Sequence, residues 1–222
     1  MKTYCLIICL FLCNSSFSQN ILISENFEDS NLPSGWTIST NATDGGWNIG
    51  TNQTLESQWW SIAPHGNFIG TNDDDCDCDK SMDYLIMPAM DFSNSSAIAL
   101  QFENYYDGGS FGGDTETATL EYSLNNGNSW SVISEINGTD DGAWDGQSFD
   151  LSSLAGNPSV LIGFHYNDNG GWMFGWAIDD VLLFEPQGLD AAITDLSVNS
   201  NQDAPSTIPI TGTVSNVGAE TI

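Results

Sequence analysis

From Ala118 to Leu124 the chain reads Ala-Thr-Leu-Glu-Tyr-Ser-Leu, alternating apolar and polar residues without a fault. A two-residue period of this kind suits an extended strand with one buried face, and it predicts Leu120, Tyr122 and Leu124 on that face. The same period runs through Ile98, Leu100 and Phe102, and through Val160, Ile162, Phe164 and Tyr166. Gly, Asn, Asp or Pro clusters bound each run. Asn125-Asn126-Gly127-Asn128 supplies residues that tolerate positive φ, so it predicts a hairpin between Leu124 and the strand that follows Trp130. No window of eleven or more residues carries a helical period; Asp150–Gly156 allows one short turn. Many short strands separated by turn signals predict an all-β antiparallel sandwich.

The N-terminus points to export. Lys2 precedes an apolar run from Tyr4 to Cys13 and then small polar residues to Gln19, the pattern of a secretory signal peptide over residues 1–19. The run is about ten residues long, half of what a bilayer-spanning helix needs, so no membrane insertion is expected. Cys13 lacks a small residue before it, since Leu12 stands there, which argues against a lipidated cysteine. The whole chain holds 30 Asp and Glu against two Lys and Arg, a net charge of −28. Beyond the signal segment the only lysine or arginine is Lys80. Such a surface repels phosphate backbones and anionic lipid, which excludes nucleic acid as a partner. Only Cys76 and Cys78 lie outside the signal segment, and export favours their oxidation to a small loop staple.

A boundary is expected at Phe184-Glu185-Pro186-Gln187-Gly188, where Pro and Gly end a strand. Residues 20–186 then form one large β-domain. Residues 187–222 carry two further strand patterns, Leu189–Val198 and Ile208–Asn216, and read as the truncated start of an immunoglobulin-like β-domain, with more domains to follow in a longer chain.

Several short patterns occur in one order along the first domain. They begin with Asn26-Phe27-Glu28-Asp29, Leu32-Pro33-Ser34-Gly35-Trp36 and Asn72-Asp73-Asp74. Asp83-Tyr84-Leu85-Ile86-Met87-Pro88 and Leu120-Glu121-Tyr122-Ser123 follow, then Asn126-Gly127-Asn128-Ser129-Trp130. The series ends with Trp172-Met173-Phe174-Gly175-Trp176-Ala177-Ile178-Asp179-Asp180-Val181. In this order they resemble the choice-of-anchor J or cleaved-adhesin modules, MAM-like jelly rolls of secreted bacterial proteins. That resemblance implies a jelly-roll sandwich, structural calcium and no catalytic machinery. In jelly rolls of this type the first and last strands lie together, which implies a calcium held by Glu28 or Asp29 with Asp179. Asp73, Asp74 and carbonyls of the 67–72 stretch are the further ligands expected, because calcium takes six to eight oxygens. Asn72–Lys80, the densest acidic run, fails the EF-hand pattern at Cys78 and Tyr84 and is read as either a calcium loop of another kind or a solvated acidic loop.

Enzymatic readings find little support. Gly108-Gly109-Ser110-Phe111-Gly112 has the letters of a serine-hydrolase elbow, but an acidic strand follows where that chemistry needs a helix. His65 and His165 sit apart from any nucleophile, and the many carboxylates form no compact glycosidase motif. Recognition falls instead to aromatics in loop or strand-end settings: Trp59, Trp60, Tyr105 and Trp172, whose rings suit stacking on sugars or filling a partner's pocket. Since neighbours in a strand face opposite ways, one of each adjacent pair is expected to be buried. The sequence therefore predicts a secreted or cell-surface, non-catalytic, calcium-stabilised adhesion module that binds an extracellular protein or a glycan. The alternatives are a carbohydrate-binding module attached to a secreted hydrolase and an accessory domain of a secreted protease.

Overall fold

The computed structural model describes residues 19–139, 142–186, 191–198 and 210–216. Apart from Gln19, the expected signal segment lies outside these residues. Residues Ile21–Glu185 form one compact unit. Its strands in chain order are β1 (Asn20–Glu25), β2 (Thr37–Ser39), β3 (Asn48–Gly50), β4 (Phe68–Asn72), β5 (Asp83–Ile86), β6 (Ala99–Tyr106) and β7 (Ser110–Phe111). They continue with β8 (Asp114–Thr115), β9 (Thr117–Ser123), β10 (Ser131–Glu135), β11 (Asp145–Asp150), β12 (Leu161–Asn167) and β13 (Gly175–Glu185). In the second unit the described residues form an antiparallel pair, β14 (Ala191–Val198) with β15 (Ile210–Asn216).

Two antiparallel sheets make a jelly-roll sandwich. One runs β11-β6-β13-β4-β3, with β1 also paired to β13; the other runs β10-β9-β12-β5-β2. The expected apolar faces meet between them: Ile98, Leu100, Phe102, Val160, Ile162, Phe164 and Tyr166 are all buried. Leu120 is buried and Tyr122 packs half-buried against the core, but Leu124 is exposed. The reason is local, because β9 ends at Ser123 and Leu124 opens the turn in which Asn126 and Gly127 take positive φ. Trp176 anchors the centre, with Trp47, Phe164 and Tyr106 rings at centroid distances of 5.4, 5.9 and 6.2 Å. Helix is limited to single turns, Asn52–Leu55, Asp73–Cys76 and the 3-10 turn Ser152–Leu154.

Alternation along β13 builds a second, smaller core. Trp176 and Ile178 face the sandwich interior, whereas Ala177 points outward into a cluster of Trp60, Ile62, Phe68 and Tyr105. The loop before β4 thus covers the outer face of the first sheet. Trp60 and Tyr105, expected as exposed recognition residues, are buried there. Tyr105 donates its hydroxyl to the Ser61 carbonyl at 2.6 Å, so both rings serve to fasten the loop.

The single cation of the unit is internal. Lys80 is fully buried, with Nζ 2.8 Å from Asp44 and 3.3 Å from the equally buried Asp83. Thr71 donates to Asp83 at 2.6 Å, and Thr40 donates to its other oxygen. Cys76 and Cys78 are joined by a disulfide. No helix among the described residues is long and apolar enough to cross a membrane.

Candidate functional site

Two separate places on β13 gather the residues that the sequence singled out. The first is a bulge. Pairing of β13 with β6 shifts between Asp179 and Leu182, and Asp180 adopts a φ of 48°. A bulge turns side chains away from the regular alternation, and here Asp179, Asp180 and His65 bring ligand atoms within 4.8 Å of one another. His65 Nε2 lies 3.6 Å from Asp180, and its Nδ1 is buried without a partner. Glu28 enters from the turn after β1, its carboxylate lying over Gly66, and its carbonyl accepts from Asn67 Nδ2 at 3.0 Å. The turn itself is forced: Phe27, fully buried against Trp36, holds a φ of 49°, a conformation that bulky residues rarely adopt.

No lysine or arginine among the described residues reaches this place. Burial pushes the Asp179 carboxyl up to about 7, and Asp180, Glu28 and Glu103 add to the effect against a hydrogen bond from the Asp180 amide. The ligand atoms that converge are those of Asp179, Asp180 and His65, the last two not included in the sequence reading, while Glu28 lies over Gly66 and acts on Asp179 through space. Asp29 lies exposed at the following bend. Asp73 and Asp74 lie elsewhere. Gly175 of β13 pairs with Asn72, so these acids stand beside Phe174, five residues or roughly 16 Å along the strand from Asp179. The acidic run does not converge on one point: Asp75, Asp77 and Asp79 are exposed. Asp44 does approach Cys76 and Cys78, but the sulfurs there are bridged to each other.

The second place lies just before the start of β13, a cleft of about 450 Å³ lined by Trp59, Asp74, Phe111, Trp172, Met173 and Phe174. Trp59, Phe111 and Trp172 are exposed by 65, 58 and 42%, unusual for three such rings on one wall. They are nonetheless fixed. Asp74 Oδ2 accepts from the Trp59 amide and its carbonyl from Trp172 Nε1, both at 3.0 Å, and Phe111 meets Trp172 edge-on at 6.3 Å. Behind the floor, Asp73 accepts from the Met173 amide at 2.6 Å and Glu116 from the Phe174 amide at 3.2 Å. Burial raises both carboxyls to about 7.

Trp59 and Trp172 were expected at a recognition surface; Phe111 and Phe174 were missed. Phe111 had a sequence signal, a large apolar ring between Gly109 and Gly112 with no strand pattern to bury it. The Gly-x-Ser-x-Gly letters around it form a two-residue ribbon, β7 with β8, with no helix after it.

No family model matches the chain, and no curated protein does. Among similar solved structures is the K1 cleaved adhesin domain of Lys-gingipain from Porphyromonas gingivalis W83. It is 19% identical over 72% of this chain and 96% of that one, with a TM-score of 0.46. TmCBM61 in complex with β-1,4-galactotriose is 15% identical over 76 and 99%, with a TM-score of 0.48. The CBM22-1 xylan-binding domain of Paenibacillus barcinonensis Xyn10C is 13% identical over 76 and 96%, with a TM-score of 0.47.

Proposed function

We propose that this chain is a secreted, non-catalytic binding module that recognises an extracellular protein or glycan through the aromatic cleft, with calcium at the β13 bulge stabilising the sandwich. One observation carries the reading: Trp59, Phe111 and Trp172 stand in solvent, while Asp74 holds the Trp172 indole by its carbonyl and the Trp59 backbone by its carboxylate. Large rings held in water with fixed orientation give affinity at low entropic cost. Pull-down of extracellular proteins and glycan-array binding by the exported chain test it. Trp59→Ala with Trp172→Ala is expected to reduce binding at least tenfold without lowering the melting temperature by more than a few degrees. Undiminished binding by that double variant would overturn the cleft as the recognition surface.

Calcium is supported by the donor set. Asp179 and Asp180 bring carboxylate oxygens together beside His65, Glu28 acts on Asp179 from the neighbouring turn, and no lysine or arginine among the described residues pairs with them. Calcium at a hundred times its dissociation constant is expected to stabilise the unit by about 2.7 kcal/mol. The gain should vanish in Asp179→Asn and survive in Asp29→Asn. Calorimetric titration and thermal melts with and without chelator check this, and a melt indifferent to calcium would remove the metal.

A further inference from the structure

We infer that the cleft takes the guanidinium of an arginine side chain carried by a basic protein partner. The inference rests on the binding-module reading and names the chemistry of its ligand. The cleft is lined by apolar and aromatic residues with one exception, Asp74, which carries a carboxylate. Oδ2 of that group is occupied by the Trp59 amide. Oδ1 accepts no hydrogen bond among the described residues and remains for a ligand.

A sugar ring presents several hydroxyls, and each one desolvated without a partner is costly. One free carboxylate oxygen cannot serve them. A guanidinium has the complementary requirements: a flat, weakly hydrated cation that stacks on indole and phenyl faces and directs its N–H edge at a carboxylate. Trp59, Phe111 and Trp172 offer the faces, and Asp74 offers the acceptor.

The surroundings favour positive charge as well. Asp114, paired with Phe111 across β7 and β8, lies against Gly171 beside Trp172. Lys80, the only nearby cation, is turned inward to Asp44 and Asp83. At a net charge of −28 the chain draws basic macromolecules from a distance and repels acidic ones, which selects a protein donor of the arginine.

Isothermal titration of the whole chain with a capped Gly-Gly-Arg-Gly-Gly peptide, and with the same peptide carrying citrulline, separates charge from shape. The arginine peptide should bind at least tenfold more tightly than its neutral citrulline twin, and more tightly than a lysine peptide. Its affinity should fall about tenfold in Asp74→Asn, which keeps the acceptor for the Trp59 amide, and fall further in Trp59→Ala. Equal affinities for arginine and citrulline would overturn the proposal. So would binding of galactotriose or a xylan oligosaccharide that depends on Trp59 while the arginine peptide fails; that outcome leaves the cleft as a recognition site. If no ligand's binding depends on Trp59, both readings fall together.

Discussion

Lys80→Met is expected to destabilise the Ile21–Glu185 unit by about 3–5 kcal/mol, the usual consequence of breaking a buried ion pair by removing one partner. Nζ is the counter-charge for Asp83, which has no solvent access, and for Asp44, which is exposed. Without it Asp83 keeps its two threonine donors but becomes an uncompensated charge in the sandwich. The Lys80 amide also donates to Asp168 at 3.2 Å, a bond that the substitution leaves in place, so the loss reports on the charge. Urea unfolding followed by tryptophan fluorescence gives the number. Lys80→Met combined with Asp83→Asn should recover much of the loss. If Lys80→Met unfolds at the wild-type midpoint, the lysine is not holding this network. If it fails to fold, comparison of Lys80→Arg with the double variant still separates charge from shape.

The second large effect is a fall in stability as pH rises from about 4 to about 7. Burial is the leading cause that pushes Asp73 from 3.8 and Glu116 from 4.5 up to about 7. In the folded chain these carboxyls hold protons that the unfolded chain has already released, so folding takes up protons across that interval. Stability from the pair is therefore complete below about pH 4 and is lost as pH rises through about 7. The rise is worth up to about 4 kcal/mol for Asp73 and about 3 kcal/mol for Glu116 across the window, and because the two acids repel, their protons leave in steps that belong to the pair. Glu116→Gln keeps an acceptor for Tyr166 and the Phe174 amide and removes the charge. With chelator present throughout, unfolding midpoints at pH 5 and pH 8 should differ by a smaller margin in this variant than in the native chain. A native chain equally stable at both values would show that the two carboxyls ionise freely.

Both effects arise from groups whose importance the sequence showed only in part. Lys80 was conspicuous as the sole cation beyond the signal segment, but a lysine in an acidic run normally lies in solvent. It is buried because Asp83 meets it from three residues on while the chain folds back to bring Asp44 from a distant segment. Glu116 follows Asp114 and Thr115 in a polar stretch and carries no sign of burial, yet Tyr166 on β12 and Phe174 close over it. Of the aromatic pairs, the expectation that one partner is buried held for Trp59 and Trp60, but which of the two could not be read from adjacent letters. Tyr105 and Tyr106 are both buried because the loop before β4 covers the outer face of the sheet as the sandwich covers the inner one.

The sequence alone determined the three strands of strict period around Leu100, Leu120 and Phe164, their buried faces up to Leu124, the Asn-Gly hairpin and the antiparallel sandwich, because a two-residue period and turn chemistry are local and survive any choice of partner strands. Tertiary structure decided which distant acids share a place: Asp179 sits at the bulge in the middle of β13 and Asp73 beside Phe174, just before the strand begins, so acids read as one cluster became two sites. That division follows from strand register, a long-range property fixed only when whole faces are packed together.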